Sequence, residues 1–346
     1  MTRDQQGRAG DLVGLTPEGL ADRVEALGHL PGQALVLFTA LHKKLATDLE
    51  SVSGLSRRLV DRLQRELPLA APRIDSHQIG QDGTEKWLLE LVDGARVETV
   101  YIPERNRGTL CLSCQVGCSL DCRLCSTGTQ GLTRNLSAAE LVAQSLVVRH
   151  ALREVGRDVT NVVLMGMGEP LYNWDAVAQA VKVIAAGLGI GADSRRFSIS
   201  TVGVSPRLHW VARDLGCNLI VSLHASSDAV RDRIIPLNQR YPLATIRQAL
   251  LDHPRRDRDV SFAYTLLDGV NDREQDAERL VVFLQGIPSR VNLLPLNRWP
   301  DCPFEPSSEQ ETQRFSTILS QAGITTTVRR RRGEDIAAAC GQLRSR

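Results

Sequence analysis

The chain has 346 residues and a formal net charge of +2 at pH 7, with 42% hydrophobic and 24% charged residues. These proportions are ordinary for a globular protein, and the length allows one main domain plus an accessory domain. No apolar run approaches the roughly 18 residues of a membrane span, and the polar N-terminus excludes a signal peptide. Five of the eight cysteines lie within residues 111–125. This usage suits a reducing cytoplasm better than a disulfide scaffold.

Residues 1–72 are predicted to form a helical accessory domain. Thr16 and Pro17 supply an N-cap and a first helical residue, and Gly28 is suited to end that helix. Two further helix-like segments follow, at Gln33–Leu45 and Leu55–Leu67.

Residues 73–103 are predicted to form a small β-extension. Asp82-Gly83 and Asp93-Gly94 are hairpin turn signals between three strand candidates. The sequence therefore predicts a three-stranded meander.

Residues 104–335 alternate strand and helix patterns, and residues 336–346 form a short tail. The strand candidates are Thr109–Gln115, Asn161–Met165, Phe197–Thr201, Asn218–Leu223, Val260–Leu266, Val291–Pro295 and Thr325–Val328. Ser137 and Glu140 have the spacing of a capping box at the start of one intervening helix. Repeated βα units predict an α/β fold with a parallel sheet, whose ligands lie at the carboxyl ends of the strands.

Cys118, Cys122 and Cys125 form a C-x₃-C-x₂-C array that follows the first of these strands. Four thiolates would close a zinc site or fully ligate a four-iron cluster, whereas three leave one iron open to a small molecule. The alternative is a structural zinc site, but the local sequence offers no fourth ligand for it.

The array is followed by several motifs in a fixed order. They include MGMGEPL (165–171), SLHASSD (222–228), RDRIIPLN (231–238) and RGEDIAAACGQL (332–343). Together they resemble the RlmN/Cfr family of radical S-adenosylmethionine (SAM) RNA methyltransferases, nearer RlmN, over roughly residues 85–343. The resemblance implies a partial (β/α)₆ barrel and a [4Fe–4S] cluster held by Cys118, Cys122 and Cys125. It also implies two molecules of SAM per turnover.

The same resemblance implies which residues bind SAM. The expected contacts are Gly168, Glu169, Ser200, Ser222, Leu223, His224 and Asn297. Without it, GMGEP would be a plain turn and His224 a packed, hydrogen-bonded core residue.

The resemblance also implies three catalytic residues. Cys340 would accept a methyl group from SAM and deliver its carbon to the adenine ring, and Glu98 would remove the ring proton. Cys111 would attack the Cys340 sulfur, leaving a disulfide that an external reductant must open. The alternatives are two inert buried thiols and a strand carboxylate that faces solvent. Cys114 replaces the serine usual in this family.

The expected reaction is methylation of adenosine at carbon 2 in 23S rRNA, with a tRNA adenosine as a second target. The basic segment Arg329–Arg332 offers phosphate contacts near Cys340. The alternatives are methylation of carbon 8, an RNA-binding homologue without turnover, and a radical SAM enzyme acting on a small molecule or protein. We expect a cytoplasmic monomer with no membrane partner.

Overall fold

The computed structural model describes residues 12–67, 69, 71–254 and 257–344. Residues 1–11, 68 and 70 of the predicted accessory domain lie outside these described residues, as do residues 345–346 of the predicted tail. Across the described part of the chain, no helix is both long and apolar enough to cross a membrane.

Three helices form the N-terminal region. They are α1 (Pro17–Ala26), α2 (Gly32–Phe38) and α3 (Arg57–Glu66). Thr16 caps α1 as predicted, because its side-chain oxygen accepts a hydrogen bond from the Gly19 amide at 3.1 Å. The predicted helix over residues 33–45 continues past α2 as one π-helical turn, Thr39–Lys43.

Ten strands form one open, mixed sheet. The strands are β1 (Arg73–Ile79), β2 (Glu85–Glu90), β3 (Arg96–Glu104), β4 (Arg107–Cys111), β7 (Asn161–Leu164), β8 (Phe197–Thr201), β9 (Asn218–Ser222), β10 (Val260–Leu266), β11 (Ser289–Pro295) and β12 (Thr325–Val328). They pair in that order: β1 to β4 are antiparallel, and β4 and β7 to β12 are parallel. The predicted meander thus continues directly into the parallel sheet, with Val100 of β3 opposite Cys111 of β4. The domain limits at residues 72, 103 and 335 stay predictions.

Helices alternate with the parallel strands, as the βα pattern predicts. They are α4 (Ala138–Glu154), α5 (Trp174–Leu188), α6 (Leu208–Trp210), α7 (Asp228–Ile234), α8 (Leu243–Leu251), α9 (Glu274–Leu284) and α10 (Glu309–Gln321). The capping box of α4 is confirmed, because Ser137 and Glu140 exchange side-chain to backbone hydrogen bonds of 2.8 and 3.2 Å.

The first parallel strand ends earlier than predicted. β4 stops at Cys111, and the chain then forms a separate small hairpin of β5 (Gln115–Gly117) and β6 (Leu132–Asn135). The amide of Cys114 bonds to the carbonyl of Met167 at 2.8 Å, which draws the chain away from the strand direction. The β5–β6 hairpin therefore carries the segment with the three-cysteine array.

Candidate active site

The three-cysteine array lies on the connection between β5 and β6, termed here the cluster loop (residues 118–131). The Cys118 amide donates to the Gly131 carbonyl at 2.9 Å, and the Cys125 amide to the Cys122 carbonyl at 3.0 Å. Cys118 and Cys122 are buried, and burial raises the pKa of the Cys118 thiol to about 12. Binding iron must therefore displace protons from these thiols.

Within the described residues, no group of three or more His, Cys, Asp or Glu side chains is placed to hold a single metal ion. A four-iron cluster makes a different demand, because each of its three thiolates binds a different iron. Buried, closely spaced thiols on a backbone held by hydrogen bonds fit that demand.

Helix α7 packs against the cluster loop and carries a buried arginine. The Arg123 amide donates to the carbonyl of Ile234, at the end of α7, at 2.9 Å. The guanidinium of Arg231 donates to the carbonyl of Leu223 at 3.0 Å and to that of Val202, both beyond strand ends of the site. Arg231 thus ties two strand-end loops together. Sequence reasoning assigned it no role, although it lies in one of the motifs that carry the resemblance.

Glu169 stands on the glycine turn that follows β7. Its two carboxylate oxygens accept the amides of Leu171 and Val202, each at 3.0 Å. Burial raises the pKa of Glu169 to about 7, more than these hydrogen bonds lower it. Each oxygen keeps a second lone pair, and a nearby ammonium group would stabilise the ionised form.

The glycine turn reaches Glu169 by a close backbone approach. Gly168 has φ +98°, and a Cβ there would lie 2.6 Å from the Cβ of Gln115. The Ser113 hydroxyl accepts the Met167 amide at 2.9 Å and donates to the Glu98 carbonyl at 2.6 Å. The turn is therefore fixed to β3 and to the start of the hairpin.

Ser200 and Ser222 lie together, as their positions at neighbouring strand ends predict. Their hydroxyl oxygens are 3.3 Å apart. Leu223 differs, because its side chain is fully buried and its amide and carbonyl both bond within the protein. Its contact with SAM stays a prediction.

His224 combines an unusual backbone with a defined tautomer. Its φ is +55°, a left-handed conformation uncommon for a residue with a side chain. Its Nδ1 accepts the Thr265 amide at 3.0 Å, and burial lowers the pKa of the ring to about 3. The ring is therefore neutral with its proton on Nε2, which makes Nε2 a hydrogen-bond donor.

Two buried polar atoms mark the candidate cofactor site. Oδ1 of Asn297 and the hydroxyl of Ser126 are buried, and neither has a hydrogen-bond partner among the described residues. Buried polar atoms are normally paired, so these two fit a bound polar molecule such as SAM. Asn297 also donates from Nδ2 to the Cys340 carbonyl at 3.2 Å.

The C-terminal residues fold back over the cluster loop, forming what is termed here the Cys340 loop (residues 337–344). The Ser126 amide donates to the Gly341 carbonyl and the Thr127 hydroxyl to the Leu343 carbonyl, each at 2.7 Å. Cys340 is exposed. The loop therefore presents its thiol at the mouth of the candidate site.

Cys111 is buried at the end of β4. Burial raises the pKa of its thiol to about 12, with a smaller contribution from nearby Cys340. The structure thus brings together the two cysteines that the resemblance pairs, 229 positions apart in the sequence. Cys114 is also buried.

Glu98 is buried, so the alternative of a solvent-facing carboxylate is wrong. Its Oε1 lies 2.9 Å from Nζ of Lys86, and its Oε2 accepts the Arg344 amide at 2.7 Å. Burial raises the pKa of Glu98, and Lys86 opposes that effect.

Part of the basic segment Arg329–Arg332 is already engaged within the protein. Arg331 pairs with Glu334 at 3.0 Å, and Arg332 lies 3.6 Å from Asp82. These arginines anchor the chain just before the Cys340 loop.

Residues 112–281 match the family model described as the Radical SAM superfamily. The chain is 49% identical to the dual-specificity RNA methyltransferase RlmN of Magnetococcus marinus, over 96% of this chain and 94% of that protein. It is 44% identical to the RlmN of Rhodospirillum rubrum, over 97% of this chain and 80% of that protein. A crystal structure of a radical SAM methyltransferase from Sphaerobacter thermophilus superposes with a TM-score of 0.93 at 41% identity. That likeness covers 97% of this chain and the whole of the other.

Proposed function

This chain belongs to the dual-specificity RNA methyltransferase RlmN family of the Radical SAM superfamily, and on that premise we propose that it methylates carbon 2 of adenosine in RNA. Its cofactors are a [4Fe–4S] cluster and SAM. The proposed substrates are 23S rRNA and a tRNA. The RlmN names of the relatives favour carbon 2 over carbon 8, and we further propose that the protein works as a cytoplasmic monomer with an external reductant.

The proposed ligands of the cluster are Cys118, Cys122 and Cys125. Replacing Cys122 by alanine should abolish both iron uptake and SAM cleavage in anaerobically reconstituted protein. Stoichiometric zinc without iron uptake in the unmodified protein would contradict this assignment.

The proposed SAM site is formed by side chains at the carboxyl ends of β7, β8, β9 and β11. The carboxylate of Glu169 is suited to accept from the amino group of SAM, and the paired hydroxyls of Ser200 and Ser222 to bind its hydroxyl or carboxylate oxygens. Nε2 of His224 can donate to an acceptor, and Oδ1 of Asn297 can accept from a donor. The unpaired buried Oδ1 supports this role most directly.

The single observation that carries the proposed reaction is the position of Cys340 beside Cys111, on a loop that also touches Glu98. Carbon 2 of adenine is electron-poor and does not attack the methyl group of SAM. The Cys340 thiolate can do so, forming S-methylcysteine and releasing S-adenosylhomocysteine. When bound, the reduced cluster and a second SAM supply the radical that removes a hydrogen atom from this methyl group.

The remaining steps use residues of this chain. The carbon on Cys340 bonds to carbon 2 of the adenine, and the carboxylate of Glu98 accepts the proton that leaves carbon 2. The thiolate of Cys111 then attacks the Cys340 sulfur and breaks its bond to the transferred carbon, which takes a proton. The resulting Cys111–Cys340 disulfide is opened by two electrons from an external thiol reductant.

The experiment that tests the function is nucleoside mass spectrometry of rRNA and tRNA incubated with the holoenzyme, SAM and a reductant. We expect 2-methyladenosine, and unmodified adenosine or 8-methyladenosine would contradict the proposal. The peptide containing Cys340 should also gain about 14 daltons, the mass of one added CH₂.

A matched pair of variants tests the resolving thiol. Cys111→Ala should accumulate RNA covalently joined to Cys340, visible as a nuclease-sensitive shifted band. Cys114→Ser, three residues away and equally buried, should turn over normally. The opposite pattern would show that Cys114 is the resolving thiol.

A further inference from the structure

One buried ion pair holds both ends of the Cys340 loop. Lys86 and Glu98 are 2.9 Å apart, with side chains only 10% and 8% exposed. Nζ of Lys86 also donates to the Ala337 carbonyl at 3.3 Å, and Oε2 of Glu98 accepts the Arg344 amide at 2.7 Å. Cys340 lies between these two anchor points.

The pairing of two rigid strands places the lysine. Glu98 of β3 lies opposite Leu88 of β2, and Lys86 lies two residues further along β2, opposite Val100. Residues two apart on a strand share a face, so Lys86 is the diagonal neighbour of Glu98. Its ammonium group therefore reaches the carboxylate without any flexible loop between them.

Lys86 is also the charged side chain that lowers the pKa of Glu98, against the effect of burial. The other group that stabilises the carboxylate is the backbone amide of Arg344. An uncompensated carboxylate in such a site would take up a proton and could not act as a base.

We propose that Lys86 is a positioning residue for the methyl transfer, which keeps Glu98 ionised and ties the Cys340 loop to it. This inference rests on the proposed function, in which Glu98 accepts the proton from carbon 2. Both oxygens of Glu98 are engaged, so Oε2 must exchange the Arg344 amide for the adenine ring. Lys86 meanwhile keeps its bonds to Oε1 and to the Ala337 carbonyl, so the loop remains anchored on the N-terminal side of Cys340.

Two measurements on Lys86→Met and Lys86→Arg test this role. The first is the pH dependence of the single-turnover rate of RNA methylation by the holoenzyme. Lys86→Met should move the acidic limb to higher pH, and each unit of movement lowers the rate on that limb about tenfold. The second is hydrogen–deuterium exchange of the peptide covering residues 337–344, which should become faster. Lys86→Arg should restore both values towards those of the unmodified protein.

The controls separate this role from a loss of folding. Lys182, an exposed lysine on α5, provides a matched variant, Lys182→Met, that should change neither measurement. If Lys86→Met lowers the melting temperature or the iron content, Lys86→Gln keeps a polar side chain without the charge and should still move the acidic limb. An unchanged acidic limb in every folded Lys86 variant overturns the inference.

Glu98→Gln distinguishes failure of this inference from failure of the proposed function. Full activity in Glu98→Gln would remove Glu98 as the base and with it the premise. An inactive Glu98→Gln alongside Lys86→Met with unchanged pH dependence and loop exchange would reject the role of Lys86 alone.

Discussion

Replacing Gly117 by alanine should prevent the cluster loop from presenting its first cysteine. Gly117 has φ +76°, and a Cβ there would lie 1.9 Å from the Gly131 carbonyl oxygen. That oxygen accepts the Cys118 amide at 2.9 Å, so moving it removes the hydrogen bond that orients Cys118. Backbone strain of about 1–3 kcal/mol and overpacking of about 1–3 kcal/mol together predict a loss of roughly 2–6 kcal/mol.

Gly189 provides the matched control. It has φ +70° at the end of α5, and a Cβ there would meet no atom within 4 Å. Gly189→Ala should therefore cost only the left-handed strain of about 1–2 kcal/mol. The assays are the melting temperature of the metal-free protein and the iron and sulfide content after anaerobic reconstitution. Gly117→Ala should lose both stability and iron, and Gly189→Ala should keep its iron. Equal melting temperatures and full iron content in the two variants would refute the clash.

Three further substitutions test the surroundings of the site. Because burial raises the pKa of Glu169 above its unfolded value, the unmodified protein should lose up to about 3 kcal/mol of stability as the pH rises from about 4.5 to 7. Glu169→Gln should lack this loss, and parallel curves of melting temperature against pH would contradict it. Ser113→Ala leaves the buried Met167 amide without its acceptor and should cost about 1–3 kcal/mol in thermal unfolding. Arg231→Met leaves buried carbonyls without their donor and should cost about 3 kcal/mol or more. Arg231→Met should also weaken SAM binding in anaerobic calorimetry, and unchanged affinity would remove Arg231 as the tie between the strand ends.

Local signals in the sequence were sufficient for the architecture and for the location of the cysteine array. Caps at Thr16 and Ser137 depend on contacts within three residues, so their spacing alone predicts them. The alternation of apolar strands and amphipathic helices predicts a parallel sheet, whose geometry brings its strand ends to one edge. The likeness of Cys118, Cys122 and Cys125 to a known motif then indicates the cofactor class.

The tertiary structure decided what those signals could not. The sequence alone left Glu98 either exposed or catalytic, and the structure buries it against Lys86 and a backbone amide 246 positions away. It likewise brings Cys340 near Cys111 and ends β4 at Cys111 through a bond from Cys114 to the glycine turn. Each of these features depends on groups distant in the sequence that meet only once the sheet has formed. Propensity and periodicity act within a few residues, and therefore carry no information about such meetings.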